Sequence, residues 1–337
     1  MPGQYSTAAF LDSKDVVADF YPVFEQNFAG SWARSLGWIN PDTVHETEQY
    51  RWLGGAPQMR KWVGGRQEQG FSKFSYSLTN VKYETTVPIY LDDLRRDKTG
   101  QIRVKVEETG QEAGRHDEIL GTTLITANGN CYDGTAFYGS GHAEAANAPD
   151  GRAVATQTNA LSSSQVPALD VAVATAPTAA EMALALLGAI GYMYGYVNDQ
   201  GMSVNGTAAE FTIMVGTAPL YGALTQAIAL NNLTVGALNN LPTNNPLTAF
   251  STSSGKPLQL KPIFNPALAS RTTKMNIFRT DGKLRPFIWQ YETPLMTQLL
   301  GAGSDEEFHN DRHVFGLKWI KSAGYGMWAH SAECTFS

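Results

Sequence analysis

Charge is scarce in this sequence. Only 17% of its 337 residues are Asp, Glu, Lys or Arg, against roughly 25% in soluble domains. A surface short of charge suits being covered, which points towards assembly. The balance is also negative, with a formal net charge of −6. That excludes a nucleic-acid binder built on a basic stripe, but not a protein that encloses nucleic acid. Cysteine is rarer still: Cys131 and Cys334 stand about 200 residues apart, so there is no disulfide framework and no CxxC metal pair, and a reducing compartment is expected. The opening residues MPGQYSTAAFLDSKD lack a basic-then-apolar layout, which predicts no secretory leader. The longest uncharged run of interest, residues 182–197, is sixteen residues long and closed by Glu181 and Asp199, short of the roughly 20 that a membrane helix needs. With Thr178 and Glu181 as a capping box, it predicts a buried helix.

Catalytic motifs are missing too. Gly139-Ser140-Gly141-His142 has the wrong spacing for a nucleophile elbow. Gly255-Lys256 runs into Pro257 without the upstream glycine of a phosphate loop, and no GxGxxG opens a helix. His309 and His313 stand at i, i+4 behind Glu306 and Glu307, and on one helix both imidazoles would face the same way. Asn310, however, occupies the place a zinc protease gives its glutamate, so a polar loop is favoured over a metal site. His142 has Asp133 and Cys131 nearby in sequence, most simply as a turn between helix and strand. Cys131 would need a depressed pKa to act as a nucleophile, and nothing in its neighbours supplies one. We therefore expect no catalytic residue, cofactor or metal.

What is present is pattern. Val17, Phe20, Tyr21, Phe24 and Phe28 repeat at helical spacing between Ser13, a good N-cap, and Gly30, a good stop. Residues 50–90 alternate apolar and polar, with Phe74, Tyr76 and Leu78 followed by Val81, Tyr83, Thr85, Val87 and Ile89, which predicts a long projecting β-hairpin. From Gln101 to Asn128 a long helix is expected, its apolar face carrying Ile102, Val106, Ala113, Leu120 and Leu124, with Thr109 and Asp117 completing the i+3/i+4 rhythm, weakened by Gly110, Gly114 and Gly121. Residues 143–177 predict a long, partly mobile loop. A strand at 211–215 and a helix at about 219–230 follow. The remainder is β-rich, with Asp281-Gly282 read as a hairpin turn between KMNIFR and LRPFIWQYE. The last strand region, HVFGLKWIKSAGYGMWAHS, alternates again.

One stretch, YRWLGGAPQMRKWVGGRQ, combines hinges, aromatic anchors and positive charge. Trp52 and Trp62 are ten residues apart, each followed by an apolar residue and two glycines, among Arg51, Arg60, Lys61 and Arg66. Glycine costs a regular element entropy, and tryptophan is seldom left in water without a reason.

These strings, in their order, resemble the Mu-like gpT family of major head subunits. The resemblance runs over Tyr50-x-Trp52-Leu53-Gly54, Pro57-x-Met59-Arg60-x-Trp62-Val63-Gly64-x-Arg66, Tyr83-Glu84-x-Thr86-Val87 and Asp92-Asp93. It continues through Cys131-Tyr132-Asp133-Gly134 with Phe137 and His142, then Pro286-Phe287-Ile288-Trp289-Gln290, His313-Val314-Phe315-Gly316 and Gly324-Tyr325-Gly326-Met327-Trp328. One departure is Gly139-Ser140-Gly141-His142, where the family often carries Asp-Thr-Asp-His, and residues 143–250 match only loosely.

The resemblance implies the α+β capsid fold of tailed phages, the HK-ninety-seven-like fold, with an N-terminal arm, an E-loop β-hairpin, a spine helix, and peripheral and axial domains. On this chain the expected parts are an arm at 1–48, the E-loop at 49–90, a peripheral domain with the spine helix at 91–165, an axial domain at 166–290 and C-terminal strands returning to the peripheral domain at 291–337. It implies a major capsid protein whose hexamers and pentamers form an icosahedral shell around double-stranded DNA, assembled in the host cytoplasm and resident in the virion. Scaffold, portal and decoration proteins are the implied partners. Since no charged helical segment precedes the arm, a separate scaffold is expected. Trp52, Arg60, Lys61, Trp62 and Arg66 are the candidate inter-subunit residues of the E-loop, with the two tryptophans in the protein's own core as the alternative. An encapsulin-like compartment, a gene transfer agent head and a soluble metal-dependent hydrolase are the rival functions.

Overall fold

A computed structural model describes residues 13–41, 43, 45–53, 73–97, 100–146, 154–230, 232–234, 242–247 and 255–337. The chain opens with α1 (Ser13–Gly30), α2 (Ala33–Leu36), β1 (Gly37–Asn40), β2 (Thr47–Leu53), β3 (Lys73–Thr79), β4 (Val81–Tyr90), α3 (Leu91–Arg96) and α4 (Gln101–Ala127). After β5 (Ala160–Leu161) come α5 (Ala179–Tyr194), β6 (Glu210–Val215), α6 (Ala218–Ala229), β7 (Asn232–Thr234) and β8 (Pro242–Asn244). The chain closes with β9 (Gln259–Phe264), β10 (Lys274–Arg279), β11 (Phe287–Tyr291), β12 (Met296–Leu300), α7 (Asp305–Asn310), β13 (Arg312–Tyr325) and β14 (Ser331–Thr335).

Two five-stranded sheets organise these elements. In the first, the order β1-β11-β13-β12 is completed by β4, which pairs antiparallel with β13 along Arg312–Lys321. The second runs β5-β14-β10-β6-β9. β13 alternates as its sequence predicts: His313, Phe315, Leu317, Trp319 and Lys321 are buried while the residues between them are less so. The aromatic stripe of α1 lies on that face, with Phe20 against Phe315 at 5.7 Å and Phe24 against Trp319 at 5.7 Å. α5 and α6 pack on each other and reach β14 and β9 of the second sheet. Its Thr178–Glu181 capping box is formed, and α5 buries Met182, Leu186, Ile190 and Met193. Among the described residues no helix is long and apolar enough to cross a membrane.

α4 begins where the Asp97 carboxylate accepts the Gln101 and Ile102 amides, both at 3.0 Å. It ends at Asn128, whose left-handed backbone (φ 47°) closes the last turn. Its buried face keeps Val106 and Asp117 of the expected one and otherwise differs from it. Val106, Gly110, Gly114, Asp117, Gly121 and Ile125 face inward, while Ile102, Leu120 and Leu124 are only partly covered. The glycines do not merely weaken the helix; they let α1 approach. A Cβ on Gly110 would lie 2.9 Å from the Phe20 carbonyl, and one on Gly114 would lie 2.8 Å from that of Phe24.

At the centre of that face the chain buries an ion pair. Lys321 Nζ donates to Asp117 Oδ1 at 2.6 Å, and the Tyr291 hydroxyl donates to Asp117 Oδ2 at 2.6 Å. Lys321 also lies 3.4 Å from the Trp319 ring centroid. Burial lowers the Lys321 pKa and Asp117 opposes that, so the carboxylate holds the charge in place. The pair fastens α4 to β11 and β13.

Three further expectations are corrected. The single hairpin over 50–90 is two units: β2 pairs with β3, whereas β4 joins β13 in the first sheet. Asp281-Gly282 does not join a hairpin, because β10 and β11 lie in different sheets. Asp281 instead accepts from Arg279 Nε and the Ala209 amide, both at 2.7 Å, tying the crossing point to the second sheet. Within 143–177 the described residues are largely irregular, but 154–177 is anchored rather than loose. Asn159 is fully buried and donates to the Phe137 carbonyl at 2.7 Å, while Leu161, Val166 and Leu169 enter the core.

Candidate functional site

The β2–β3 hairpin rests on the first sheet through a small polar and aromatic base. Tyr50, Leu78 and Ile288 form their own apolar cluster, bordered by Trp38 and Tyr76. Tyr50 Oη donates to Gln290 Oε1 at 2.6 Å and accepts from Asn40 at 3.1 Å. Gln290 Nε2 donates in turn to Asn80 Oδ1 at 2.7 Å and to the Leu78 carbonyl at 3.3 Å. Burial, the largest influence, raises the Tyr50 pKa, so its hydroxyl keeps the proton it donates. Gly324 lets the hairpin lie down, since a Cβ there would meet the Tyr76 ring at 2.9 Å. Sequence reasoning missed these anchors; the one available signal was a glutamine inside the apolar run FIWQY.

Trp52 falls in β2, opposite Phe74 in the register. Phe74 packs on Tyr132 with centroids 5.6 Å apart, so the hairpin also touches the turn that follows α4. The side chain of Trp52, and Arg60, Lys61, Trp62 and Arg66 altogether, lie outside the described residues.

The two C-terminal histidines are separated by structure. α7 ends at Asn310, and Asp311 turns the chain with φ 48°. His309 is exposed on the helix, whereas His313 is fully buried in β13 with Nε2 3.6 Å from Glu307. They do not share a helix face.

Cys131, Asp133 and His142, by contrast, do meet. Cys131 Sγ donates to Asp133 Oδ1 at 2.8 Å, and His142 Nδ1 lies 2.6 Å from Asp133 Oδ2. The imidazole stacks on Trp328 at 4.0 Å with an interplanar angle of 6°. Burial, reinforced by Asp133, pushes the Cys131 thiol far above its ordinary range, the reverse of what a nucleophile requires. Beside it the Tyr132 hydroxyl donates to Glu144 at 2.8 Å, and burial pushes the Glu144 carboxyl up to about 7.

Comparison with known proteins places this geometry. Residues 29–177 match the model of the Mu-like prophage major head subunit gpT family. The Mu-like prophage FluMu major head subunit of Haemophilus influenzae is 32% identical over 142 residues, covering 40% of this chain and 46% of that protein. The major capsid protein of Escherichia phage Mu is 34% identical over 106 residues, covering 31% of this chain and 34% of that one. The chain thus spans less than half the length of the curated relatives it matches, and the resemblance read from the sequence holds over those residues. Among solved structures, the mature capsid of bacteriophage PhiM1 superposes with a TM-score of 0.52 at 12% identity, over 91% of this chain and 87% of that one. The capsid of Cyanophage P-SCSP1u gives 0.51 at 12% identity, over 89% and 86%. The fold is the α+β, HK-ninety-seven-like fold of tailed-phage capsids.

Proposed function

We propose that this chain is a major capsid protein that assembles into the hexamers and pentamers of an icosahedral phage head around double-stranded DNA. The carrying observation is a capsid fold over 91% of the chain coinciding with a head-subunit family match at residues 29–177. In this reading residues 1–48 are the arm, 49–90 the E-loop, 91–165 the peripheral domain with α4 as spine, 166–290 the axial domain and 291–337 the returning strands. The chain works as a structural component of the virion, assembled in the host cytoplasm with scaffold, portal and decoration proteins. No catalytic step is assigned to it.

The hairpin supports this physically. Its base is locked to the first sheet by Tyr50, Gln290 and Asn80, so a tip reaching a neighbour would transmit that contact to the subunit body. Trp52 and Trp62 are the proposed anchors, each burying about 150–250 Å² if covered, a gross gain of roughly 4–6 kcal/mol before ordering costs. The paired glycines let the same ribbon bend differently in hexamers and pentamers, and Arg60, Lys61 and Arg66 suit acidic residues on the neighbour.

The test is size-exclusion chromatography followed by negative-stain microscopy of the chain with its scaffold. Rings or closed shells are expected, and a chain that stays monomeric or dimeric with scaffold and crowder present removes the capsid reading. Trp62→Ala should reduce the assembled fraction; assembly equal to wild type removes only the anchor claim.

A further inference from the structure

Cys131, Asp133 and His142 have no part in the subunit contacts proposed above, yet they bring three different donor types to one point. We propose that they form a binding site for one divalent transition-metal ion of the zinc class, holding the turn after α4 in place.

The backbone builds the cluster. The Gly134 amide donates to the Cys131 carbonyl at 3.0 Å, with Gly134 at φ +79°, and the Cys131 amide donates to the Thr135 carbonyl at 2.9 Å. That tight turn sets residues 131 and 133 side by side. His142 is held to Gln157 by amide-to-carbonyl bonds in both directions, at 3.2 and 2.8 Å. The sulfur, a carboxylate oxygen and a ring nitrogen all lie within 4.8 Å of one another. Tetrahedral zinc, with bonds of about 2.0–2.3 Å, sets its donors roughly 3.3–3.6 Å apart. The hydrogen-bonded contacts at 2.6 and 2.8 Å therefore need to open by less than about 1 Å.

The imidazole is placed by its stacking on Trp328 and by the contact of Nδ1 with Asp133. His142 is 0% exposed and its Nε2 has no hydrogen-bond partner. The three side chains share two mutual hydrogen bonds and Asp133 Oδ1 also accepts the Thr135 amide at 3.1 Å, so the donors already face one another in a fixed arrangement. Sulfur, nitrogen and oxygen donors together select zinc or cobalt over calcium or magnesium, which prefer oxygen alone. Coordination of Cys131 as a thiolate displaces its proton to solvent, one per ion. Coordination through Nδ1 places the imidazole proton on Nε2, and one tetrahedral position is left to water.

This inference does not depend on the capsid reading, and its test needs no assembly. Chelator-treated, unassembled full-length chain is titrated with Co²⁺, which reports thiolate coordination as a charge-transfer band in the near ultraviolet. One equivalent should saturate the band, and Zn²⁺ should bleach it. Cys131→Ser, which keeps a donor for Asp133, should abolish the band, and Cys334→Ser should leave it intact. Asp133→Asn should weaken Co²⁺ binding by more than about tenfold. Circular dichroism identifies which variants keep the fold. Absence of a band in folded wild type, or a band that survives Cys131→Ser, overturns the proposal.

Discussion

Replacing Gly114 with alanine sets two effects of opposite sign against each other. Inside a helix the change favours folding by about 1 kcal/mol, because glycine has more backbone freedom to lose. Against that, the new Cβ would lie 2.8 Å from the Phe24 carbonyl oxygen, 2.8 Å from Asn27 Cβ and 3.0 Å from the Phe28 amide nitrogen. Two of those three atoms are backbone of α1, so no rotamer change relieves the contact and α1 must move. Overpacking of this kind costs about 1–3 kcal/mol, and α1 carries Phe20 and Phe24 into the core, so its movement disturbs their packing as well. We expect a net loss of about 1–2 kcal/mol. Gly121 gives an internal comparison: its Cβ would meet ring carbons of Trp32 at 3.1 Å and Trp289 at 3.3 Å. Small ring tilts absorb such contacts, so Gly121→Ala should fall within about 1 kcal/mol of wild type. Urea unfolding of the unassembled subunit, compared at unchanged slope, measures both. A Gly114→Ala chain as stable as wild type, or a Gly121→Ala chain less stable than the Gly114→Ala chain, refutes the close-approach account of α4.

The buried pair makes a second prediction. Asp117→Ala strands the Lys321 ammonium and the Tyr291 hydroxyl, which should cost about 3–5 kcal/mol, whereas the double change Asp117→Leu with Lys321→Met should cost much less; equal losses in urea unfolding would contradict it. Tyr50→Phe removes the hydroxyl between Asn40 and Gln290 and should cost about 1–2 kcal/mol, with faster amide exchange in β2 and β3 but not in β14. His330 makes the pH prediction: burial lowers its pKa from 6.5 to about 3, with Arg279 adding to the effect. Its neutral form therefore contributes stability above pH 6.5 that is lost as pH falls towards 3, about 2 kcal/mol of it between pH 8 and pH 5. His330→Gln should remove that share of the pH dependence, leaving the opposing contribution of Glu144 and the parallel one of His116 in place; a pH dependence identical to wild type would exclude His330 as a contributor.

What the sequence determined by itself is what local periodicity and capping can encode. The amphipathic α1, the span and Asn128 stop of α4, the Thr178–Glu181 box of α5 and the alternation of β13 were all legible, because each signal lies within a few residues of the structure it specifies. The family resemblance was legible for a related reason: its strings are short, and they keep their order. Tertiary structure decided the rest. Hydrophobic counting sees no signal in glycine, so the inward stripe of Gly110, Gly114 and Gly121 emerged only once α1 lay against it. Asp281-Gly282 has the composition of a hairpin turn, yet β10 pairs with β6 and β14, and β11 with β1 and β13, since strand partners are chosen by cores distant in sequence. Gln290 and Lys321 sit in apolar runs, and their partners Tyr50 and Asp117 come from elements about 200 residues away. Proximity in sequence placed Cys131, Asp133 and His142 within one short segment, but only the packed Trp328 ring and the buried environment around it made them a cluster. Burial is a property of the whole chain, and no window of neighbouring residues contains it.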